Sequence, residues 1–119
     1  MARVLVVDDA AFMRVRAAKV LADDGHEVAM AENGREAVSK YVEWHPDAVL
    51  MDITMPVMDG LAALKEIRKL DPSARVVMVT AMGQQAIVVE ALKAGAKDFV
   101  LKPFQPDRIL ATLQKLLAA

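Results

Sequence analysis

The chain has 119 residues, which suits one domain with its own core and leaves little room for a second. Its formal net charge of −1 argues against a nucleic-acid-binding protein, and no polybasic segment points to a membrane surface. Cysteine is absent, which excludes disulfides and thiolate metal sites. No apolar run resembles a signal peptide or a membrane span, so we expect a cytoplasmic protein. We also expect it to be a monomer.

The first half of the chain alternates short apolar runs with helical patterns. Residues 4–7 are four β-formers in a row, which predicts a strand buried on both faces. Residues 11–23 predict a helix that Gly25 ends. Its apolar positions are Phe12, Val15, Val20 and Leu21. The next predicted elements are a weaker strand at 26–31, a helix capped by Asn33 that ends before Pro46, and a strand at 48–51.

The second half continues the alternation. Asp59 is predicted to cap a helix that ends near Leu70. The following elements are a strand at 75–79, a helix at 83–94 with Gly95 at its end, and a very short strand at 99–101. Pro106 then suits the first turn of a last helix. The apolar side of that helix carries Ile109, Leu110, Leu113, Leu116 and Leu117.

Five strands and five helices in strict alternation indicate an α/β fold in a single domain over residues 1–119. The apolar runs of the first, third and fourth strands are continuous rather than alternating. Continuous apolarity is typical of a parallel sheet that helices cover on both faces. Right-handed crossovers then leave few topologies, and we expect a doubly wound, five-stranded parallel sheet.

Polar side chains follow four of the five predicted strands. They are Asp8 and Asp9 after the first strand, Asp52 after the third, Thr80 after the fourth and Lys102 after the fifth. Taken singly, each is most simply a cap, a turn residue or a solvated charge. The carboxyl ends of parallel strands meet at one edge, where ligands bind in folds of this kind. Their joint placement therefore favours a functional site.

The three carboxylates would repel one another at this edge unless a cation lay between them. Oxygen ligands of this type suit Mg²⁺, which keeps several waters and recruits phosphate oxygens. Lys102 offers a positive charge and Thr80 a hydroxyl donor for a phosphoryl group. One carboxylate as nucleophile, a metal, a lysine and a hydroxyl together indicate phosphoryl transfer.

Four ordered motifs carry a family resemblance that covers essentially the whole chain. They are Asp8-Asp9, MDITMPVMDG at residues 51–60, Thr80-Ala81 and Lys102-Pro103-Phe104. The set resembles the receiver domain of bacterial response regulators. Residues 6–14 and 81–85 most resemble single-domain chemotaxis members from Gram-positive bacteria, thermophiles and archaea. The resemblance implies a flavodoxin-like (βα)5 fold with strand order 2-1-3-4-5.

The resemblance also implies a role for each acid. Asp52 matches the phosphoacceptor and a Mg²⁺ ligand, and Asp9 matches the direct metal ligand. Asp8 matches the acid that holds Mg²⁺ mainly through water. The backbone carbonyl of Thr54 matches a further metal ligand.

The remaining site residues match the family's phosphoryl-binding and switch positions. Thr80 would donate a hydrogen bond to the phosphoryl group, and Lys102 would pair with one of the phosphoryl oxygens. The peptide bond between Lys102 and Pro103 would be cis. Phe99 matches the switch aromatic. The output surface is formed by the fourth helix, fifth strand and fifth helix, and it would carry Gln84, Val88, Phe99 and Leu101. The fourth helix is more apolar than one core stripe requires, which fits either a partner patch or an Ala/Val-rich composition.

The implied function is that of a two-component response regulator in chemotaxis or flagellar motor control. A histidine kinase of the chemotaxis type, or a small phosphodonor, would phosphorylate Asp52. The output partner would be a flagellar motor switch protein or another protein, and a phosphatase is a further expected partner. Such a protein is not an enzyme, since it catalyses only its own phosphorylation and dephosphorylation.

Three other interpretations remain open. A metal-dependent phosphatase also uses a strand-end Asp, Mg²⁺, Thr and Lys, but it needs an acid two residues after the nucleophile, where Thr54 stands. An interaction module on the same scaffold would require a vestigial acidic site, although every site residue is present. An engineered, consensus or reconstructed receiver would keep the same chemistry.

Overall fold

The computed structural model describes residues 2–118 and folds them into five strands and five helices that alternate along the chain. The strands are β1 (Arg3–Val7), β2 (Glu27–Ala31), β3 (Ala48–Asp52), β4 (Val76–Thr80) and β5 (Asp98–Leu101). The helices are α1 (Ala11–Asp23), α2 (Gly34–Trp44), α3 (Gly60–Leu70), α4 (Gln85–Lys93) and α5 (Pro106–Ala118). The predicted elements are all present, with ends that differ by one or two residues.

All strand pairs are parallel, and the order across the sheet is β2-β1-β3-β4-β5. The predicted doubly wound fold is therefore confirmed. The winding reverses between β1 and β3, because the chain first adds β2 on one side of β1 and then returns to the other side. In sheets of this kind a crevice opens beyond the carboxyl ends of the strands at that point.

Two separate cores cover the two faces of the sheet. One face packs against buried residues of α2, α3 and α4, and the other packs against buried residues of α1 and α5. Successive strand residues point to opposite faces, so Leu5 joins the first core and Val6 the second. Burial on both faces explains why the apolar runs of β1, β3 and β4 are continuous.

The predicted caps are found where the sequence places them. The Asn33 side-chain oxygen accepts from the backbone N–H of Glu36 at 2.9 Å, and that of Asp59 accepts from Ala62 at 2.8 Å. Gly95 follows α4 with a φ of +112°, a left-handed conformation that glycine adopts without steric cost. None of the helices within residues 2–118 is both long and apolar enough to cross a bilayer.

The expected apolar face of α1 is wrong in part. Phe12 is 74% exposed and Val15 56% exposed, whereas Ala17 and Leu21 are buried against the sheet. At 100° per residue, Phe12 and Val15 lie on the far side of the helix from Ala17 and Leu21. The buried face of α1 carries the small residue Ala17, so the positions of the large apolar residues do not identify it.

The loop between β3 and α3 contains an unusual backbone conformation. Val57 has a φ of +69°, although β-branched residues are strained in this region. Its side chain is exposed. The backbone N–H of Met58 donates to the carbonyl oxygen of Pro56 at 2.7 Å within the same turn. The strain at Val57 is therefore held by a tight turn rather than by packing of its side chain.

We expect Val57→Asn to raise the free energy of unfolding by about 0.5–1 kcal/mol, because Asn tolerates the left-handed region and the exposed Val side chain contributes little packing. Urea denaturation measures the change. Val42→Asn is the matched control, since Val42 is also exposed but lies in the regular helix α2. Equal stabilisation of both variants, or loss of stability in Val57→Asn, would contradict the assignment of strain.

Candidate functional site

The strand ends bring the sequence-predicted residues to one edge of the sheet. Asp52 ends β3 and Thr80 ends β4, while Asp8 follows β1 and Lys102 follows β5. Backbone hydrogen bonds continue the ladder past the strands, from the N–H of Asp8 to Ala31 at 3.1 Å and from the N–H of Lys102 to Thr80 at 2.7 Å. The sheet itself therefore fixes the backbone beneath each side chain.

An ammonium group joins two of the acids. Lys102 Nζ lies 3.0 Å from Asp8 Oδ2 and 3.2 Å from Asp52 Oδ1. Burial opposes the charge on Lys102, but the hydrogen bond to Asp8 and the charge of Asp52 outweigh it and raise the pKa of the ammonium. Lys102 therefore stays protonated and positively charged at this site. The bond from Lys102 to Pro103 is cis, as the resemblance implies.

Asp52 carries the most perturbed carboxyl of the site. Burial, followed by the charge of Asp8, raises its pKa to about 6, and Asp9 adds to the effect. Lys102 lowers the pKa of Asp52, but by less than these effects raise it. Asp52 is nevertheless ionised near neutral pH. The cluster thus holds more negative charge than the Lys102 ammonium balances.

The acids form a suitable set of ligands for a hard cation. One carboxylate oxygen from each of Asp8, Asp9 and Asp52 lies within 4.8 Å of the others. Asp8 and Asp52 are buried, while Asp9 is exposed. Oxygen donors that leave one side open to water suit Mg²⁺, and the uncompensated negative charge favours a divalent ion. The residues therefore fit the Mg²⁺ that the resemblance implies at this edge of the sheet.

Arg14 is a supporting residue that the sequence analysis did not single out. Its guanidinium donates to the backbone carbonyl of Asp8 at 2.7 Å and lies 3.9 Å from a carboxylate oxygen of Glu32. The backbone N–H of Ala10 donates to Asp8 Oδ1 at 2.9 Å. These contacts hold the turn that carries both early acids. The sequence signal, one arginine in the first turns of a helix, is too common to identify this role.

Gly60 has a steric role beside the phosphoacceptor candidate. A Cβ at this position would collide with the backbone carbonyl of Asp52. The N–H of Gly60 donates to the carbonyl oxygen of Ile53 at 2.7 Å. Glycine therefore lets the start of α3 approach the end of β3, which fixes the loop that carries Thr54. The role of the Thr54 carbonyl as a metal ligand stays a prediction.

Gln84 links the two loops that flank Asp52. Its side-chain oxygen accepts from the Thr80 hydroxyl at 2.9 Å and from the backbone N–H of Ala81 at 2.9 Å. Its amide nitrogen donates to the Thr54 hydroxyl at 3.0 Å. Thr80 itself is buried. Gln84 also lines the groove beside α4 that was expected as the output surface, and its side chain reaches from there to Thr80.

The expected output residues line an apolar groove between α4 and β5. Phe99 and Leu101 are partly exposed there, as expected, at 39% and 50%. Val88 also lines the groove, although its side chain is largely buried there. Val89 and Leu92 are the exposed apolar residues of α4 instead. Helical periodicity turns Val88 toward the sheet and its neighbour Val89 outward.

We expect Asp52→Asn to stabilise the metal-free protein near neutral pH by about 1–3 kcal/mol. The raised pKa means that the wild type loses stability as pH rises from the ordinary Asp range through about 6. The neutral amide of Asn avoids this loss, so the difference in unfolding free energy between the variant and the wild type should shrink in acid. Urea denaturation at several pH values, with a chelator present, measures it.

Glu66→Gln is the control for Asp52→Asn, because Glu66 is exposed on α3 and should change stability by less than about 0.5 kcal/mol. Added Mg²⁺ should reduce the difference in unfolding free energy between Asp52→Asn and the wild type, because it should stabilise the wild type more. A variant less stable than the wild type at neutral pH would refute the charge crowding.

Comparison with known proteins agrees with this site. Residues 4–114 match the family described as response regulator receiver domain. The chemotaxis protein CheY of Thermotoga maritima is 59% identical over 115 residues, or 96% of each chain, and that of Bacillus subtilis is 58% identical over 97% of each. A CheX–CheY–BeF3–Mg²⁺ complex from Borrelia burgdorferi contains a similar fold, with a TM-score of 0.91 and 36% identity over 96% of this chain and 87% of that one. The chain therefore belongs to the receiver domain family of two-component response regulators, with chemotaxis proteins of the CheY type as close relatives.

Proposed function

We propose that this chain accepts a phosphoryl group on Asp52 in a Mg²⁺-dependent reaction and signals this state to a protein partner. The donor would be a histidine kinase of the chemotaxis type or a small phosphodonor. The observation that carries the proposal is the cluster of three carboxylates at the sheet edge, with Lys102 within 3.2 Å of Asp52. This cluster combines a nucleophile with groups that attract a cation and a phosphoryl oxygen.

The Asp52 carboxylate is oriented for attack. Oδ1 accepts from the backbone N–H of Ile53 at 3.0 Å and contacts Lys102, so we assign Oδ2 as the nucleophile. A lone pair of Oδ2 forms a bond to phosphorus of the donor phosphohistidine. The P–N bond breaks, and its electron pair stays on the imidazole nitrogen. With a pKa of about 6, Asp52 is deprotonated and competent near neutral pH.

Asp8, Asp9 and Asp52 would hold Mg²⁺, together with the Thr54 carbonyl. When bound, Mg²⁺ supplies positive charge that offsets the negative charge of the transferring phosphoryl group. Lys102 offers its ammonium to a phosphoryl oxygen, and Thr80 offers its hydroxyl to another. These residues bind and orient the group, which is the main protein contribution in phosphoryl transfer.

The cycle closes by hydrolysis of the acyl phosphate. A water oxygen bonds to phosphorus, the bond between phosphorus and Asp52 breaks, and its electrons return to the carboxylate as inorganic phosphate leaves. The chain would thus catalyse only its own phosphorylation and dephosphorylation. On this account it is a switch rather than an enzyme with a separate substrate.

A protein partner would read the switch at the groove between α4 and β5. The CheY names of the close relatives support a chemotaxis role, and we propose a flagellar motor switch protein as the output partner. The Borrelia burgdorferi complex of CheY with CheX supports protein binding, and we propose a phosphatase as a further partner. Phe99, which lines this groove together with Thr80, would report the state of Asp52.

We expect acetyl phosphate and Mg²⁺ to add one phosphoryl group to the wild type, and Asp52→Asn to abolish the reaction, because the amide lacks a nucleophilic carboxylate. Intact-mass analysis measures the addition. Chelation of Mg²⁺ should also stop it.

Asp59→Asn is the matched control, because Asp59 caps α3 from the same loop and Asn caps equally well. It should be labelled like the wild type. Unchanged labelling of Asp52→Asn would refute the site, and turnover of a phosphomonoester by the wild type would favour the phosphatase interpretation instead.

A further inference from the structure

We propose that Gln84 is a positioning residue that engages the Thr80 hydroxyl in the unphosphorylated chain and must release it before Thr80 can bind a phosphoryl group. This inference rests on the proposed function, since it concerns the regulation of the same site. We call the Gln84 side chain, with its bonds to Thr80, Ala81 and Thr54, the amide latch.

The bonding pattern fixes which end of the amide faces each partner. The backbone N–H of Ala81 can only donate, so the Gln84 atom 2.9 Å from it must be the carbonyl oxygen. The amide nitrogen of Gln84 therefore points to Thr54, where a hydroxyl oxygen accepts at 3.0 Å. The latch is thus a directed arrangement, with its acceptor end on the β4–α4 loop and its donor end on the β3–α3 loop.

The Thr80 hydroxyl has a single proton to donate. Its nearest acceptor is Gln84 Oε1 at 2.9 Å, and the carbonyl oxygen of Ala81 lies farther away at 3.2 Å. Both acceptors belong to the segment that follows β4. A phosphoryl oxygen on Asp52 would need the same proton. The bond to Gln84 and the bond to the phosphoryl group are therefore mutually exclusive.

The charges decide which bond prevails after phosphorylation. A phosphoryl oxygen is a charged acceptor, and such hydrogen bonds are about twice as strong as neutral ones. The bond from Thr80 to Gln84 should therefore break once Asp52 is phosphorylated. Because this bond is lost, the free energy of binding the phosphoryl group is less favourable by about one neutral hydrogen bond. One such bond corresponds to roughly a 2- to 10-fold change in an equilibrium constant.

The latch also connects the site to α4. Gln84 occupies the N-cap position of α4, yet its side chain does not cap that helix and reaches back to Thr80. Loss of the Thr80 bond would leave the Gln84 side chain held only by Ala81 and Thr54, at the residue that precedes α4 and one turn before Val88 in the floor of the groove. Release of Thr80 would thus loosen the start of α4 beside the output groove.

The first test uses the metal-free, unphosphorylated protein, so it does not depend on phosphoryl transfer. Gln84→Met keeps the side-chain length and removes the hydrogen bonds. We expect the three-bond NMR couplings of Thr80 to change, because its side chain loses the acceptor that holds one rotamer. Gln85→Met is the matched control on an exposed neighbour and should leave them unchanged. Unaltered Thr80 couplings in Gln84→Met would overturn the latch.

The second test measures the affinity for beryllofluoride, a mimic of the phosphoryl group, in the presence of Mg²⁺. Gln84→Met should bind it 2- to 10-fold more tightly, whereas Gln84→Glu should bind it more weakly because an ionised acceptor holds Thr80 harder. In a Thr80→Val background the gain from Gln84→Met should disappear. Equal or weaker binding by Gln84→Met, or a gain that persists without the Thr80 hydroxyl, would overturn the proposal.

The two tests separate this inference from the proposed function. A wild type that binds no beryllofluoride would contradict phosphorylation at Asp52, while the Thr80 couplings would still decide whether the latch exists. A wild type that binds it, combined with unaltered couplings in Gln84→Met, would contradict the latch alone.

Discussion

Repulsion among buried carboxylates is the constraint on which the site depends. Asp8 and Asp52 are buried and lie close to Asp9, and the Lys102 ammonium offsets only part of their charge. This arrangement opposes folding, as the raised pKa of Asp52 indicates. A bound cation would relieve this repulsion, so the electrostatic free energy that destabilises the free protein would favour metal binding. On the proposed function, the stability lost at this edge is what makes the site responsive to a bound cation.

The fold makes this crowding possible because it supplies stiffness where the charges meet. Each acid or base stands on a strand end or within two residues of one, and backbone hydrogen bonds extend the sheet beneath them. Gly60 lets α3 begin against Asp52 without a collision, and Arg14 ties the turn after β1. Flexible loops would let the carboxylates move apart and lose the effect. Preorganisation of this kind is the main protein contribution to phosphoryl transfer.

Much of this could be predicted from the sequence, because strong local signals agree with the global fold. The continuous apolar strands, the caps Asn33 and Asp59, and the polar strand ends all arise from short-range chemistry. Features that depend on tertiary packing could not be predicted. The exposed Phe12 depends on which side of α1 meets the sheet, and the bonds of Gln84 depend on two loops meeting in space. The left-handed Val57 contradicts its local propensity, so sequence rules give no warning of it.

The two cores on opposite faces of the sheet have a consequence for how the molecule can vary. Helices α2, α3 and α4 share one core, while α1 and α5 share the other, and the sheet lies between the two cores. Substitutions on different faces share few partners, so their effects on stability should add rather than couple. Substitutions on the face that carries α4 can therefore change the surface that a partner would contact, while Arg14 of α1 still supports the turn that carries Asp8. A scaffold of this kind can therefore acquire different binding partners while its acidic site stays the same.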